Sequence, residues 1–344
     1  MEHQHAMNII SGRQRSVAAS AVRSALLAAS LPYSVGMRIR RWAYRRGILP
    51  SHSAGVAVVC VGNITTGGTG KTPMVAWLVD RLVQAGCSPA VLTRGYRSVG
   101  GVSDEAALLA RLCGVPVIVD GDRVAGAAKA LSSGADVLVM DDGFQHMRLR
   151  RDMNIVLIDA ANPFGFGHVL PRGLLREPVS ALSDADVIVI THSDAVPPGD
   201  LDELKRRIVE LAGQVDMVEA VHKAEAIVDD SGRRQGVESL AGKRVFAFCG
   251  LGRPEQFFEM LSGLGAVLVG RRALDDHAAY TPDVIESIAE ASQDNSAEML
   301  VTTAKDCVKC PQGAFRAPLW TLEMRIEFPD GDGGLADRVI SLVR

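Results

Sequence analysis

At positions 65–72 the chain reads TTGGTGKT, and these residue types suit one task, gripping the polyphosphate tail of a nucleotide such as ATP. Gly67, Gly68 and Gly70 allow backbone conformations and a close approach that a side chain would block. Successive amides then point at the phosphates, helped by the positive end of the helix that follows. Lys71 supplies a point charge to the β and γ phosphates, and the Thr72 hydroxyl is a ligand for Mg²⁺. Pro73 comes next, where the first turn of a helix loses nothing by its missing N–H.

The common spacing of such loops, G-x4-GK[ST], places glycine at position 65, where this chain has Thr65. The eight residues Thr65, Thr66, Gly67, Gly68, Thr69, Gly70, Lys71 and Thr72 instead take the GGxGKT form of dethiobiotin synthetase and the ParA/MinD ATPases. That ATPase branch usually carries lysine where this chain has Thr66, which argues against a soluble ParA/MinD-like switch as the alternative reading. A second chemical element is VLVMDDGFQH at 137–146. An apolar strand ending in acids puts a carboxylate within reach of the metal shell. Asp141 and Asp142 are both candidates.

Phosphoryl transfer also needs a base or orienter for the attacking hydroxyl, and positive charge around the moving group. For the first role GGVSDEAALLARL at 100–112 offers Asp104 and Glu105, which would equally suit the start of a helix. His277 stands beside Asp275 and Asp276, and a neighbouring carboxylate raises a histidine's pKa and fixes its tautomer. For the second role LTRGYR carries Arg94 and Arg97, and HVLPRGLLREP carries Arg172 and Arg176. Basic residues in turn-rich sequence suit contact with anions.

These groups must be placed by regular elements. The apolar run GVAVVCVG at 55–62 leads into the glycine loop, and 73–85 then has helical spacing, with Val75, Leu78, Val79 and Leu82 on one face. Further apolar runs lie at 89–93, 115–119, 137–140, 155–158 and 187–190. Runs without polar alternation suit strands buried on both faces, so a parallel sheet covered by helices is expected. The first domain is therefore α/β and doubly wound. Polar alternation at 217–222 and 226–228 marks a change of character. From 243 onward RVFAFCG, the helical PEQFFEMLSGLG, AVLVG and EMLVTTAKD read as a second, smaller α/β unit. LWTLEMRIEF at 319–328 reads as a strand returning to the linker. The expected organisation is an N-terminal region at 1–50, a phosphate-loop domain at 51–213, a β linker at 214–240, a smaller domain at 241–316, and a return strand with terminal helix at 317–344.

A composition of 47% hydrophobic and 22% charged residues excludes wholesale disorder. Six scattered cysteines form no secreted-type framework and point to a reducing compartment. Cys307 and Cys310 make one CxxC without a second pair of ligands, so two free thiols are expected rather than zinc. No stretch reaches the roughly 20 apolar residues of a membrane-spanning helix. The apolar 16–31 segment is broken by Arg23, which does not suit a signal peptide.

Taken together, CVGNITTGGTGKTP, LTRGYR, SDEAALLARL, MDDGFQHMRLRRDMNIVLID, NPFGFGHVLPRGLLREP, FCGLGRPEQFF, DDHAAY and VTTAKDCVK follow an order that resembles the tetraacyldisaccharide 4′-kinases of lipid A biosynthesis. The match runs from about position 58 to 309. It implies a P-loop NTPase-type α/β/α sandwich, with a second, smaller α/β domain joined by a short β linker. It implies ATP- and Mg²⁺-dependent transfer to the 4′ hydroxyl of a tetraacylated glucosamine disaccharide 1-phosphate. By motif position the base is Asp104, paired with His277; Arg176 contacts phosphate beside Lys71; and Thr72, Asp141 and Asp142 are the metal residues. Against the family pattern, the stretch between Arg97 and Ser103 is short, DDHAAY keeps one histidine of the common DHH-x-Y, and TTAKD has Ala304 in place of glutamate.

A lipid acceptor agrees with the N-terminal segment. Between 18 and 49, aliphatic residues accompany Arg38, Arg40, Arg41, Arg45 and Arg46, with Trp42 and Tyr44 as interfacial anchors. An amphipathic basic helix lies in the headgroup layer, so peripheral attachment to the cytoplasmic face of the inner membrane is expected. THSD at 191–194 lacks the lysine of a guanine-reading motif. No aromatic platform or known module accompanies the basic cluster, so neither a nucleic-acid partner nor an obligate protein partner is expected.

Overall fold

The computed structural model describes the chain apart from residues 1, 96–97, 100–101, 253 and 276–277. Arg97, Asp276 and His277 therefore lie outside the described residues. In chain order come α1 (Glu2–Ile10), α2 (Val17–Arg45), β1 (Ala57–Asn63), α3 (Lys71–Gln84), β2 (Pro89–Thr93), β3 (Ser98–Val99), β4 (Val102–Ser103) and α4 (Asp104–Cys113). Next are β5 (Val117–Val119), α5 (Arg123–Ser132), β6 (Val137–Asp141), β7 (Met153–Asp159), β8 (Val187–Thr191) and α6 (Pro198–Ala212). The remainder is β9 (Asp216–Asp229), β10 (Arg234–Gly236), β11 (Arg244–Cys249), α7 (Pro254–Gly263), β12 (Val267–Ala273), α8 (Pro282–Asp294), β13 (Met299–Thr303), α9 (Ala304–Cys307), β14 (Leu319–Glu327) and α10 (Leu335–Ser341).

Two compact units result, and they do not follow chain order. The first gathers Met1–Gly95, Leu109–His222 and Ile326–Arg344; the second gathers Tyr96–Leu108 and Lys223–Arg325. The N-terminal helices and the C-terminal helix α10 thus belong to the first unit, and the β3–β4 hairpin with the start of α4 belongs to the second.

In the first unit the strands run β5-β2-β6-β1-β7-β8-β9, every neighbouring pair parallel. Alternate residues of each apolar run feed opposite cores. Val58, Cys60, Leu138, Met140, Ile188 and Ile190 face one layer, which Ala127 and Ala130 of α5 and Leu204 and Ile208 of α6 cover. Val59, Val61, Val137, Val139, Val187 and Val189 face the other, which α3 covers with Met74, Val75, Leu78, Val79 and Leu82. Burial on both faces is why these strands lack polar alternation. From β1 the chain builds outward to one edge through β2, then to the other through β7, β8 and β9. The carboxyl end of β1 therefore lies where the strand order reverses, the place where open α/β sheets bind ligands. Register sets Val61 beside Asp141 of β6 and Asn63 beside Leu157 of β7.

In the second unit β12, β11, β13 and β14 are parallel, β14 neighbours β9, and β10 pairs antiparallel with β9. Helix α7 packs Phe257, Phe258 and Leu261 on one face, while Ile288 of α8 packs on the other. One expectation is corrected here. The strand read through EMLVTTAKD stops at Thr303, whose hydroxyl accepts from the Asp306 N–H and caps the short α9. All six cysteines are free of disulfides.

Leu78 is fully buried between α3 and the sheet. Leu78→Ala should cost about 2–5 kcal/mol, read as a lowered urea midpoint of the first unit; an unchanged midpoint would contradict this packing.

Candidate active site

The glycine loop fills the gap between β1 and α3. Gly67 and Gly70 take positive φ values of 120° and 81°, and Gly70 caps α3 from the left-handed region. Any Cβ at Gly70 would overlap the His222 ring, whereas the space beside Gly67 and Gly68 is open. The loop's underside is tied down. Asn63 Nδ2 donates to Thr69 Oγ1 at 2.9 Å, and Thr191 Oγ1 donates to the Thr69 carbonyl at 3.1 Å. Its flank is held as a strand-like bridge: Thr66 N–H donates to Leu174 O at 2.7 Å and Arg176 N–H to Ile64 O at 2.8 Å, with Thr65 paired to Leu175. The backbone that would cradle phosphates is thus fixed from below and from one side.

Three charged side chains converge beside it. Arg176 Nη1 donates to both oxygens of Asp142, at 2.9 and 2.7 Å, and Lys71 Nζ lies 3.4 Å from Asp142 Oδ1. Burial alone would push the Asp142 carboxyl up, but Lys71 and then Arg176 outweigh it and hold it below the ordinary range. The two acids left open by the sequence are set apart. Asp141 ends β6, buried, with Thr93 Oγ1 at 3.5 Å. Asp142 turns out of the strand with a left-handed φ of 50° and takes the two cations. Thr72 occupies the first turn of α3, half-buried.

The other candidates are placed differently. Arg172 reaches α1, where its Nη1 donates to the Ile10 carbonyl at 2.7 Å. Arg94 is exposed just after β2. Asp104 is the first residue of α4, half-buried, and belongs to the second unit. In the stretch from Thr191 to Asp194, Thr191 props the loop and His192 Nδ1 pairs with Asp159 Oδ1 at 3.1 Å.

Sequence reasoning missed three groups, two of which meet the loop or the strand end that leads into it. His222 backs Gly70, its ring 4.6 Å from that of His192, and both its nitrogens are buried. Burial, then His192, push it down to about 4. His146, in the motif after Asp142, is likewise pushed down to about 4 by burial and by Arg123. Gln145 Nε2 donates to Asn63 O at 2.8 Å. His222 sits in a stretch whose only sequence signal was strand alternation, and no spacing linked it to position 70.

A parallel sheet with a glycine loop at its switch point, a lysine at the helix start and acids ending the neighbouring strand defines a P-loop NTPase-type fold. Residues 22–344 match the family model for tetraacyldisaccharide-1-P 4′-kinase. The chain is 39% identical over 304 residues to the tetraacyldisaccharide 4′-kinase of Anaeromyxobacter dehalogenans (strain 2CP-C), covering 83% of this chain and 80% of that one. It is 39% identical over 328 residues to that of Syntrophus aciditrophicus (strain SB), covering 87% and 88%. A crystal structure of LpxK from Aquifex aeolicus in complex with ATP superposes with a TM-score of 0.71 at 27% identity, over 94% of this chain and 98% of that one. The chain belongs to the tetraacyldisaccharide 4′-kinase family, kinases of lipid A biosynthesis with an ATP-binding P-loop fold.

The two depressed histidines set a pH dependence. An unfolded chain takes up their protons below about pH 6.5, while the folded protein resists until about 4. Their contribution to stability is therefore complete above pH 6.5 and declines as pH falls toward 4. In His222→Phe the drop in urea midpoint between pH 7 and pH 5 should shrink; an unaltered drop would show that His222 is not protonated on unfolding in that window.

Proposed function

We propose that this kinase moves the γ-phosphoryl group of ATP to the 4′ hydroxyl of a tetraacylated glucosamine disaccharide 1-phosphate, forming lipid IVA, in a reaction that requires Mg²⁺. The observation that carries the reading is the convergence of Lys71 and Arg176 on Asp142 beside the glycine loop. Two cations at the mouth of a ring of amides suit a β,γ-phosphate group, and their charge is complementary to what develops during transfer. Asp142 holds both cations in place, so the polyphosphate meets a pre-set pair rather than two mobile side chains.

Mg²⁺ prefers hard oxygen ligands and keeps several waters and phosphate oxygens of its own. The Thr72 hydroxyl in the first turn of α3, the carboxylate of Asp141 at the end of β6 and that of Asp142 in the turn after it are donors of that kind. The residues therefore fit the ion. When bound it neutralises phosphate charge. On the acceptor side Asp104 takes the proton of the attacking hydroxyl, with His277 as its partner; the support is their place in the SDEAALLARL and DDHAAY motifs.

The acceptor is reached at the cytoplasmic face of the inner membrane, with attachment peripheral. Among the described residues no helix is long and apolar enough to cross a membrane. Helix α2 instead leaves Leu27, Leu31, Val35, Ile39 and Trp42 exposed, a stripe repeating every three to four residues. Arg38, Arg45 and Arg46 are exposed on the same helix and its end. Such a face suits the headgroup layer of an anionic leaflet. Arg41 is a correction to the basic cluster: it is 7% exposed and points inward.

Incubation with labelled ATP, Mg²⁺ and the disaccharide lipid should give labelled lipid; acceptor-independent hydrolysis without lipid product would favour an ATPase switch. Lys71→Ala should abolish turnover. Asp104→Ala and His277→Ala should each lower kcat by roughly two decades or more with ATP affinity kept, and a wild-type kcat would remove that residue from the chemistry. Leu31→Asp with Ile39→Asp should release the protein from anionic vesicles while ATP binding persists; retained vesicle binding would exclude this face.

A further inference from the structure

We propose that Tyr33 and Arg41 are positioning residues for phosphoryl transfer, acting from α2 to fix the backbone that carries Arg176. The inference rests on the reading of the Lys71, Asp142 and Arg176 cluster given above.

Arg176 is fastened three ways. Its N–H donates to Ile64 O at the entry to the glycine loop, at 2.8 Å. Its guanidinium holds Asp142. Its carbonyl accepts from the Tyr33 hydroxyl at 2.7 Å, across 143 positions of sequence. The next residue, Glu177, is fully buried, and its carboxylate pairs with the Arg41 guanidinium, which also pairs with Asp184. The same guanidinium lies 4.9 Å over the Phe144 ring, and Phe144 belongs to the turn that follows Asp142. One turn of helix upstream of Tyr33, Ser30 Oγ accepts from the Arg172 N–H at 3.1 Å and donates to Val169 O at 3.0 Å.

Successive residues along one face of α2 therefore grip both sides of the charged cluster. Tyr33 and Arg41 hold the segment that delivers Arg176, and Arg41 covers the turn that delivers Asp142. The half-buried tyrosine hydroxyl donates to the carbonyl of a residue whose own N–H is bonded as well, so the Arg176 backbone is held from both of its sides. A guanidinium forked between two carboxylates fixes direction as well as charge. The opposite face of the same helix carries the apolar stripe. Nothing in sequence spacing required a helix with that outer face to reach the phosphate-contacting arginine.

Tyr33→Phe removes a single oxygen, and Arg41→Lys keeps the charge while losing the fork. Both full-length variants are compared with wild type for ATP binding by calorimetry with Mg²⁺, for kinetics on the disaccharide lipid in detergent micelles, and for melting temperature. Each should weaken ATP binding by about 2- to 10-fold, the range for loss of one hydrogen bond, with the KM for lipid unchanged. In an Arg176→Ala background Tyr33→Phe should have no further effect on ATP affinity. ATP dissociation constants within twofold of wild type in both variants, or full additivity with Arg176→Ala, would overturn the proposal even if melting temperature falls. A wild-type protein that binds ATP but labels no lipid would defeat the proposed reaction and leave this comparison of ATP affinities intact.

Discussion

Two cations cannot share the mouth of a glycine loop unless an anion stands between them. Asp142 is that anion, and much of the first unit exists to place it. The carboxyl stays ionised against its burial because Lys71 and Arg176 are both at hand. Lys71 comes from the start of α3, Asp142 from the turn after β6, and Arg176 from a segment bridged to the loop itself. Three stretches of chain meet there because parallel strands β1 and β6 end side by side at the switch point. Breaking any one of the three would leave a charge without its partner in a partly desolvated place, which is costlier than never having built the cluster.

Support for that cluster is layered. Asn63 and Thr191 brace the loop from the sheet, and His222 occupies the space behind Gly70 that a side chain there would need. The glycine at position 70 answers to two demands at once, a left-handed φ and an aromatic neighbour. Burial pushes the histidines at 146 and 222 down to about 4, and the His222 ring adds bulk behind Gly70.

Helix α2 joins two physical tasks that are usually separate. Its outward side chains are apolar and basic, and its inward ones are polar groups fixed on backbone carbonyls and buried carboxylates. The helix contributes little to the main cores, where Tyr33 is its partly buried member. Its inward hold is made of hydrogen bonds and ion pairs, which are directional, rather than of apolar packing, which is not. That suits a helix whose remaining surface is apolar enough to face lipid.

The sequence alone determined the core strands of the first sheet, the loop, and the charged residue types gathered beside it. Local chemistry forces these: a continuous apolar run suits burial on both faces, glycines at fixed offsets suit a tight turn, and neither depends on distant residues. It also carried the family, because eight motifs in order are far more specific than the loop by itself. Tertiary structure decided what pairs with what. Asp141 and Asp142 are indistinguishable in a string, and only the backbone's turn into the left-handed region separates a buried strand end from a carboxylate shared by two cations. Arg41 read as one of five surface arginines until Glu177 and Asp184, well over a hundred positions away, drew it inward. Arg172 read as an anion contact and instead holds α1. Partnerships between residues far apart in sequence leave no periodicity and no spacing, so they become visible only once the chain has folded.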